Sequence, residues 1–227
     1  MLISIEGIDG AGKNTLSKNL VQQLARADSR ITTELLSFPD YPSKTGKLIK
    51  GFLTGEWDVT SHRPLPDDMR CSDVGAWMLQ SIFAINRFEQ WAKLKRYQGA
   101  LDGLLVLDRY WHSGLTYGTA AGLPADWLAH IHEALPKADM TFYVDVSVEE
   151  SEKRRPERRD FYERNGDFLR KCRRIYQALA TDGQMIEVDG MLSPERLMRE
   201  VLVKLAANTN FEYVAQAAAA AICSMVL

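Results

Sequence analysis

Residues 3–15 read ISIEGIDGAGKNT: Gly7, Gly10 and Gly12 surround an aspartate, Asp9, and lead into Lys13. A glycine-rich turn presents backbone N–H groups with no Cβ atoms to obstruct them, and a following helix adds the positive end of its dipole, so such a loop cradles anions. Gly7, Gly12 and Lys13 satisfy the spacing G-x-x-x-x-G-K. The apolar run at 2–6 precedes the loop as a strand, and the amphipathic NTLSKNLVQQL follows it as a helix. Gly10, Ala11, Gly12, Lys13, Asn14 and Thr15 are therefore the expected phosphate-binding residues. The acid inside the loop needs a separate reason.

Outward from this loop, apolar periodicity alternates strand with helix, the pattern of a parallel sheet covered on both faces. Strands are expected at 2–6, 31–37, 104–108, 140–144 and 185–188, and helices at 13–26, 74–97, 125–135, 147–155, 160–180 and 194–206. Segment 57–75, rich in proline and mixed charge, reads as a surface insertion. The chain of 227 residues, 46% hydrophobic and 26% charged, has the composition of one globular domain. Its net charge of −2 gives no global attraction to nucleic acid or anionic lipid, so any anion site is local. Cys71, Cys172 and Cys223 form neither a disulfide framework nor a zinc pattern. With an opening MLISIEG that runs directly into a strand, they imply a reducing cytoplasm. The apolar end AQAAAAAICSMVL is shorter than the roughly 20 residues of a spanning helix. It reads as a terminal helix or tail over a groove or a partner subunit. His62, His112, His130 and His132 show no metal-ligand spacing.

One position departs from the phosphate-loop pattern. The residue after the lysine is normally a Ser or Thr whose hydroxyl ligates Mg²⁺; here it is Asn14, with Thr15 next. One residue along a helix turns a side chain by about 100°, so Thr15 is no simple substitute. Asn14 offers an amide oxygen, directly or through water. Further on, in LLVLDRYWHSGLTYG, Asp108 and Arg109 emerge at the carboxyl edge of the third strand, where open α/β sheets bind ligands.

Taken together, EGIDGAGKNT, SFPDYPSKTGK, QSIFAINRFEQW, LDRYWHSGLTYG, LPKADMTFYVDVS and the arginine-rich stretch ending RRDFYERNGDF resemble the thymidylate kinase family, in order, from residue 1 to about residue 206. The resemblance implies a three-layer P-loop NTPase fold, with a five-stranded parallel sheet and helices on both faces. It implies a catalytic domain at 1–206 with a lid at about 147–163, followed by a C-terminal tail or helix at 207–227. The implied activity is ATP-dependent phosphorylation of dTMP, with Mg²⁺, by a homodimer that engages no nucleic acid or membrane.

By the same resemblance, Asp9 accepts from the acceptor's 3′-hydroxyl, so one loop touches both substrates. Phe83 stacks on thymine, Arg87 reads its O4, and Tyr117 crowds the sugar's 2′ position. Phe38 and Tyr162 complete the substrate contacts. Lys13 and Mg²⁺ bridge the donor's phosphates, Arg109 holds the acceptor phosphate, and Asp108 orients Arg109 or the metal's water; Asn14 and Asp108 are the implied metal residues. Some members carry an arginine within the glycine loop where this chain has Gly10, so Arg158 and Arg159 are expected to supply the catalytic cations. Tyr41 stands where many relatives have an arginine, with Asp40 beside it and Lys44 or Lys47 as possible compensation, and Ser113-Gly114 stands where an Asn is frequent. Two alternatives remain open on the residues: another pyrimidine deoxynucleotide or deoxynucleoside as acceptor, or a nucleotide-binding switch that transfers nothing.

Overall fold

The computed structural model describes residues 1–54, 56, 73–154 and 166–225. In chain order the elements are β1 (Leu2–Glu6), α1 (Lys13–Ala27), β2 (Thr32–Ser37), α2 (Lys44–Thr54), α3 (Asp73–Phe88), α4 (Trp91–Tyr97), β3 (Gly103–Asp108) and α5 (Trp111–Ala120). There follow α6 (Ala125–His130), β4 (Met140–Asp145), α7 (Val148–Arg154), α8 (Gly166–Thr181), β5 (Ile186–Asp189), α9 (Pro194–Ala206) and α10 (Glu212–Ser224). The five strands form one parallel sheet in the order β2-β3-β1-β4-β5.

The central strands are buried along their whole length, as strands covered on both faces must be. Side chains alternate across the sheet: Ile3, Ile5, Leu104 and Val106 point into the larger core, which includes buried residues of α1, α8, α9 and α10. Leu2, Leu105 and Leu107 point the other way, toward Leu94 and Tyr97 of α4. Ile5 pairs with Asp108, so the glycine loop leaves β1 beside the end of β3. That register places both chemistry-bearing segments at one rim.

Segment 74–97 is two helices, not one: Gln90 N donates to Arg87 O at 3.1 Å, a tighter turn, and the next helix starts from there. The helix expected at 125–135 closes at His130, after which His132 and Glu133 make i→i−3 bonds to Ala129 and His130. Helices α2 and α5 were not expected. The first carries two glycines, poor helix formers; the second is buried on every side from His112 to Gly118, so no apolar stripe marks it. The C-terminal α10 buries Val214, Ala217, Ala218 and Ala221, one i/i+3/i+4/i+7 face, in the main core. It packs on α1 and α9.

Candidate active site

The glycine loop is held by what surrounds it. Gly10 has φ 77°, and a Cβ there would stand 2.6 Å from Ser151 O in α7, so both backbone and neighbour require glycine. From the same helix Ser151 Oγ donates to Asp9 O. Lys13 is buried at the start of α1, and its Nζ donates to Ile8 O at 2.7 Å. Burial, followed by the nearby Arg109 cation, pushes its pKa down to about 8, against the pull of Asp9, Asp108 and Glu6. An anionic group in this cradle would restore the charge.

Arg109 ties the two strand ends together. It sits at φ 68°, an uncommon conformation for a non-glycine residue and one that concentrates at functional positions. Its Nη1 donates to Gly7 O at 3.0 Å and Ser113 Oγ at 3.1 Å, and its Nη2 donates to the Asp9 carboxylate and, at 3.4 Å, to Tyr117 Oη. Tyr117 Oη in turn donates to Asp9 Oδ2 at 2.8 Å. Burial opposes the Arg109 charge, but Asp9, with Tyr117, Tyr176 and Asp108, more than offsets it, and the guanidinium stays protonated. Behind this network Glu6 is fully buried: its carboxylate accepts from Tyr110 N at 2.8 Å, Ser113 Oγ at 2.6 Å and Tyr176 Oη at 3.1 Å.

Asp108 makes a different contact: its Oδ2 accepts from Asn14 Nδ2 at 3.1 Å, while the Arg109 bonds go elsewhere. A carboxylate and an amide thus meet beside the cradle. Their oxygens are hard donors of the kind Mg²⁺ takes alongside water and substrate phosphates. Such a site needs few protein ligands, so it is compatible with the finding that no group of three or more His, Cys, Asp or Glu suited to a metal occurs among the described residues. The residues present fit the ion.

A cleft of about 370 Å³ opens beside the cradle, with Asp9, Asn14, Phe38, Phe83, Arg87, Asp108, Arg109 and Tyr117 all in its wall. The structure therefore gathers these expected residues around one space. Phe83 and Arg87 share a face of α3, and the buried Arg87 guanidinium lies 5.9 Å from the Phe38 ring. Arg87 Nη1 donates to Phe83 O at 2.9 Å and lies 3.4 Å from His132 Nε2. Burial lowers its pKa to about 10, with Glu6 supporting the charge, so it remains a cation at neutral pH. Gly114 belongs here for its size: a Cβ would come within 2.8 Å of His132 Cε1. Tyr41 also lines the cleft, whereas Asp40 is drawn away by Gln90 Nε2 at 2.7 Å. Lys44 and Lys47 are exposed and outside the cleft wall.

On the far side of the loop a second cleft, about 250 Å³, is lined by Ala11, Gly12, Thr15, Asn19, Arg154, Gly190 and Leu192 among others. Thr15 thus faces a different space from Asn14, as its rotation about α1 requires. Arg158, Arg159 and Tyr162 lie outside the described residues, as does most of the 57–75 segment.

Sequence reasoning missed several residues. Glu6 carried a signal, a lone acid in an apolar strand. Asn86 pins the cleft's outer wall, accepting from Asp40 N at 2.8 Å and donating to Ser43 Oγ and Thr45 Oγ1 at 2.9 Å each. His132 and Ser151, and Gly190 and Leu192 of the second cleft, carried none.

The thymidylate kinase family model matches residues 5–201. Human thymidylate kinase is 33% identical over 184 residues, 80% of this chain and 77% of that protein. The Dictyostelium discoideum thymidylate kinase is 28% identical over 202 residues, 88% of this chain and 82% of its own length. Among solved structures, a thymidylate kinase from Candida albicans superposes with a TM-score of 0.73 at 25% identity, covering 93% of each chain. A family match across most of the chain, on a sheet that carries the glycine loop and Arg109 at one rim, shows that this chain belongs to the thymidylate kinase family.

Proposed function

We propose that the protein transfers the γ-phosphoryl group of ATP to the 5′-phosphate of dTMP, giving dTDP and ADP. A bond forms between an acceptor phosphate oxygen and the γ-phosphorus, and the bond from that phosphorus to the β–γ bridging oxygen breaks. The observation that carries the reading is Arg109, which donates both to the loop carbonyl of Gly7 and to Asp9 in the wall of the cleft that holds Phe83 and Arg87. The acceptor phosphate is already anionic, so alignment and charge neutralisation carry the rate and no strong base is needed. Lys13 and the loop amides hold the donor's terminal phosphates, and the second cleft takes its base. Arg109 holds the acceptor phosphate, Phe83 stacks on the base, Arg87 donates to a base carbonyl, and Asp9 and Tyr117 meet the sugar. Arg158 and Arg159 supply the cations that follow the transferred group. When bound, Mg²⁺ offsets polyphosphate charge, with Asp108 and Asn14 as its protein oxygens.

The test is ADP formation from ATP, with and without a chelator, across a panel of pyrimidine nucleosides and monophosphates. Strong, chelator-sensitive stimulation by dTMP is expected. Preference for another acceptor moves the specificity, and no stimulation by any of them selects a non-catalytic nucleotide binder.

We also propose a cytoplasmic homodimer with residues 1–206 as its catalytic domain. Two observations support this: the free thiols of Cys172 and Cys223, and the exposed apolar residues of α3. No helix among the described residues is long and apolar enough to cross a membrane.

A further inference from the structure

Gln80 lies on α3 three residues before Phe83 and seven before Arg87, hence on the same helical face. Its side chain lines the larger cleft and is 0% exposed, yet neither Oε1 nor Nε2 has a hydrogen-bond partner among the described residues. Arg87 Nε is likewise buried and unmatched. Buried polar atoms are costly to leave unmade, and three of them, two in a single amide, belong to residues on one face of one helix that line a space sized for a small ligand. Among the described residues nothing pairs with this amide.

We infer that Gln80 is a specificity-determining residue of the acceptor site, its amide reading the imide edge of the base beside Arg87. This rests on the reading of the acceptor as a thymine nucleotide. Arg87 is donor-only and so selects a carbonyl. Next to that carbonyl, thymine and uracil present N3–H and then a second carbonyl. An amide matches this edge, Oε1 accepting from N3–H and Nε2 donating to the second carbonyl. Cytosine offers an amino group where Arg87 needs an acceptor, and an unprotonated N3. A site built on hydrogen bonds rejects the analogue that lacks them more strongly than an apolar pocket does.

The experiment uses the full chain and Gln80→Met, which keeps the length of the side chain and removes both polar atoms. Steady-state kinetics are measured with dTMP and with its N3-methyl analogue, which keeps both carbonyls and lacks the N3–H. In the unmodified protein the analogue should lose roughly tenfold or more in kcat/KM. In Gln80→Met the KM for dTMP should rise by a similar factor, the KM for ATP should stay within about twofold, and the penalty for the analogue should disappear. Removing an unmatched buried amide should also raise the thermal midpoint of the ligand-free protein by about 2–4 °C; a packing role for Gln80 predicts a fall. An analogue used as well as dTMP by the unmodified protein overturns the inference without any variant, and so does a penalty that persists in Gln80→Met. If the unmodified protein does not phosphorylate dTMP at all, the functional reading fails first, and this result is separate from the other two.

Discussion

Lys13 occupies an awkward position. Its ammonium group is buried and bonded to a carbonyl of its own loop, and burial, with Arg109 nearby, lowers its pKa to about 8. A bound polyphosphate supplies the missing negative charge and raises that pKa, so above about pH 8 binding must take up a proton. The sign follows: nucleotide affinity is flat below about pH 8 and weakens above it, by up to about tenfold per pH unit. Titration calorimetry with ATP in buffers of different ionisation enthalpy reads both the affinity and the proton uptake. A dissociation constant that stays constant to about pH 9.5, with no proton uptake, would contradict the assigned role. Lys13→Arg, which keeps its charge over this range, should bind with a flatter profile. At this scale the sequence was legible where chemistry repeats in a short motif. Gly7, Gly12, Lys13, Asp108 and Arg109 could be named from spacing, but the pairing of Asp108 with Asn14 and of Arg109 with Asp9 depends on the register of β1 against β3.

Helix α3 shows what an element adds. Gln80, Phe83 and Arg87 lie on the face toward the cleft, while Trp77 and Ile85, on another face, are 37% and 51% exposed. A helix that leaves large apolar side chains in water on one side while building a ligand cleft on the other is a candidate for subunit packing. The proposed homodimer therefore predicts that Ile85→Glu shifts the molecular mass seen by sedimentation equilibrium from two chains toward one, because a carboxylate would be buried at the interface. A wild-type chain that sediments as a monomer at high micromolar concentration removes the proposal. Elements were legible in proportion to their periodicity. The strands and α1 and α9 were close to expectation because burial on one or both faces writes itself into the apolar pattern. Helix α5 left no such trace, being buried all round, and the break after Phe88 arises from a single tightened turn at Gln90. The cleft's back wall was illegible for the same reason: His132 and Gly114 matter through contact across elements, which spacing within one element does not encode.

For the molecule as a whole, two buried histidines link stability to pH. Burial is the main cause that lowers His112 to about 4 and His132 to about 3, with Arg87 opposing a second positive charge at both. Glu6 partly favours the charged form of His112, and the Leu128 carbonyl that of His132. In the unfolded chain both titrate near 6.5. Their folded pKa values are depressed, so the unfolded state binds more protons between about pH 6.5 and about pH 4, and stability falls as pH falls through that window. Each contributes about 1.4 kcal/mol per pH unit, about 2–3 kcal/mol per unit together, a large share of a typical domain's 5–15 kcal/mol. Urea unfolding at intervals from about pH 7 to about pH 5 should therefore show a loss of roughly 3–4 kcal/mol from this pair. His112→Phe and His132→Gln should each remove about half of that slope, whatever their effect on stability at neutral pH. Equal slopes in the wild type and both variants would mean that neither imidazole is held neutral. The same neutrality serves the site, since it leaves Arg87 as the cation of that wall and His132 Nε2 within reach of its guanidinium. Acid should thus weaken the fold and the grip on the acceptor base through the same two rings.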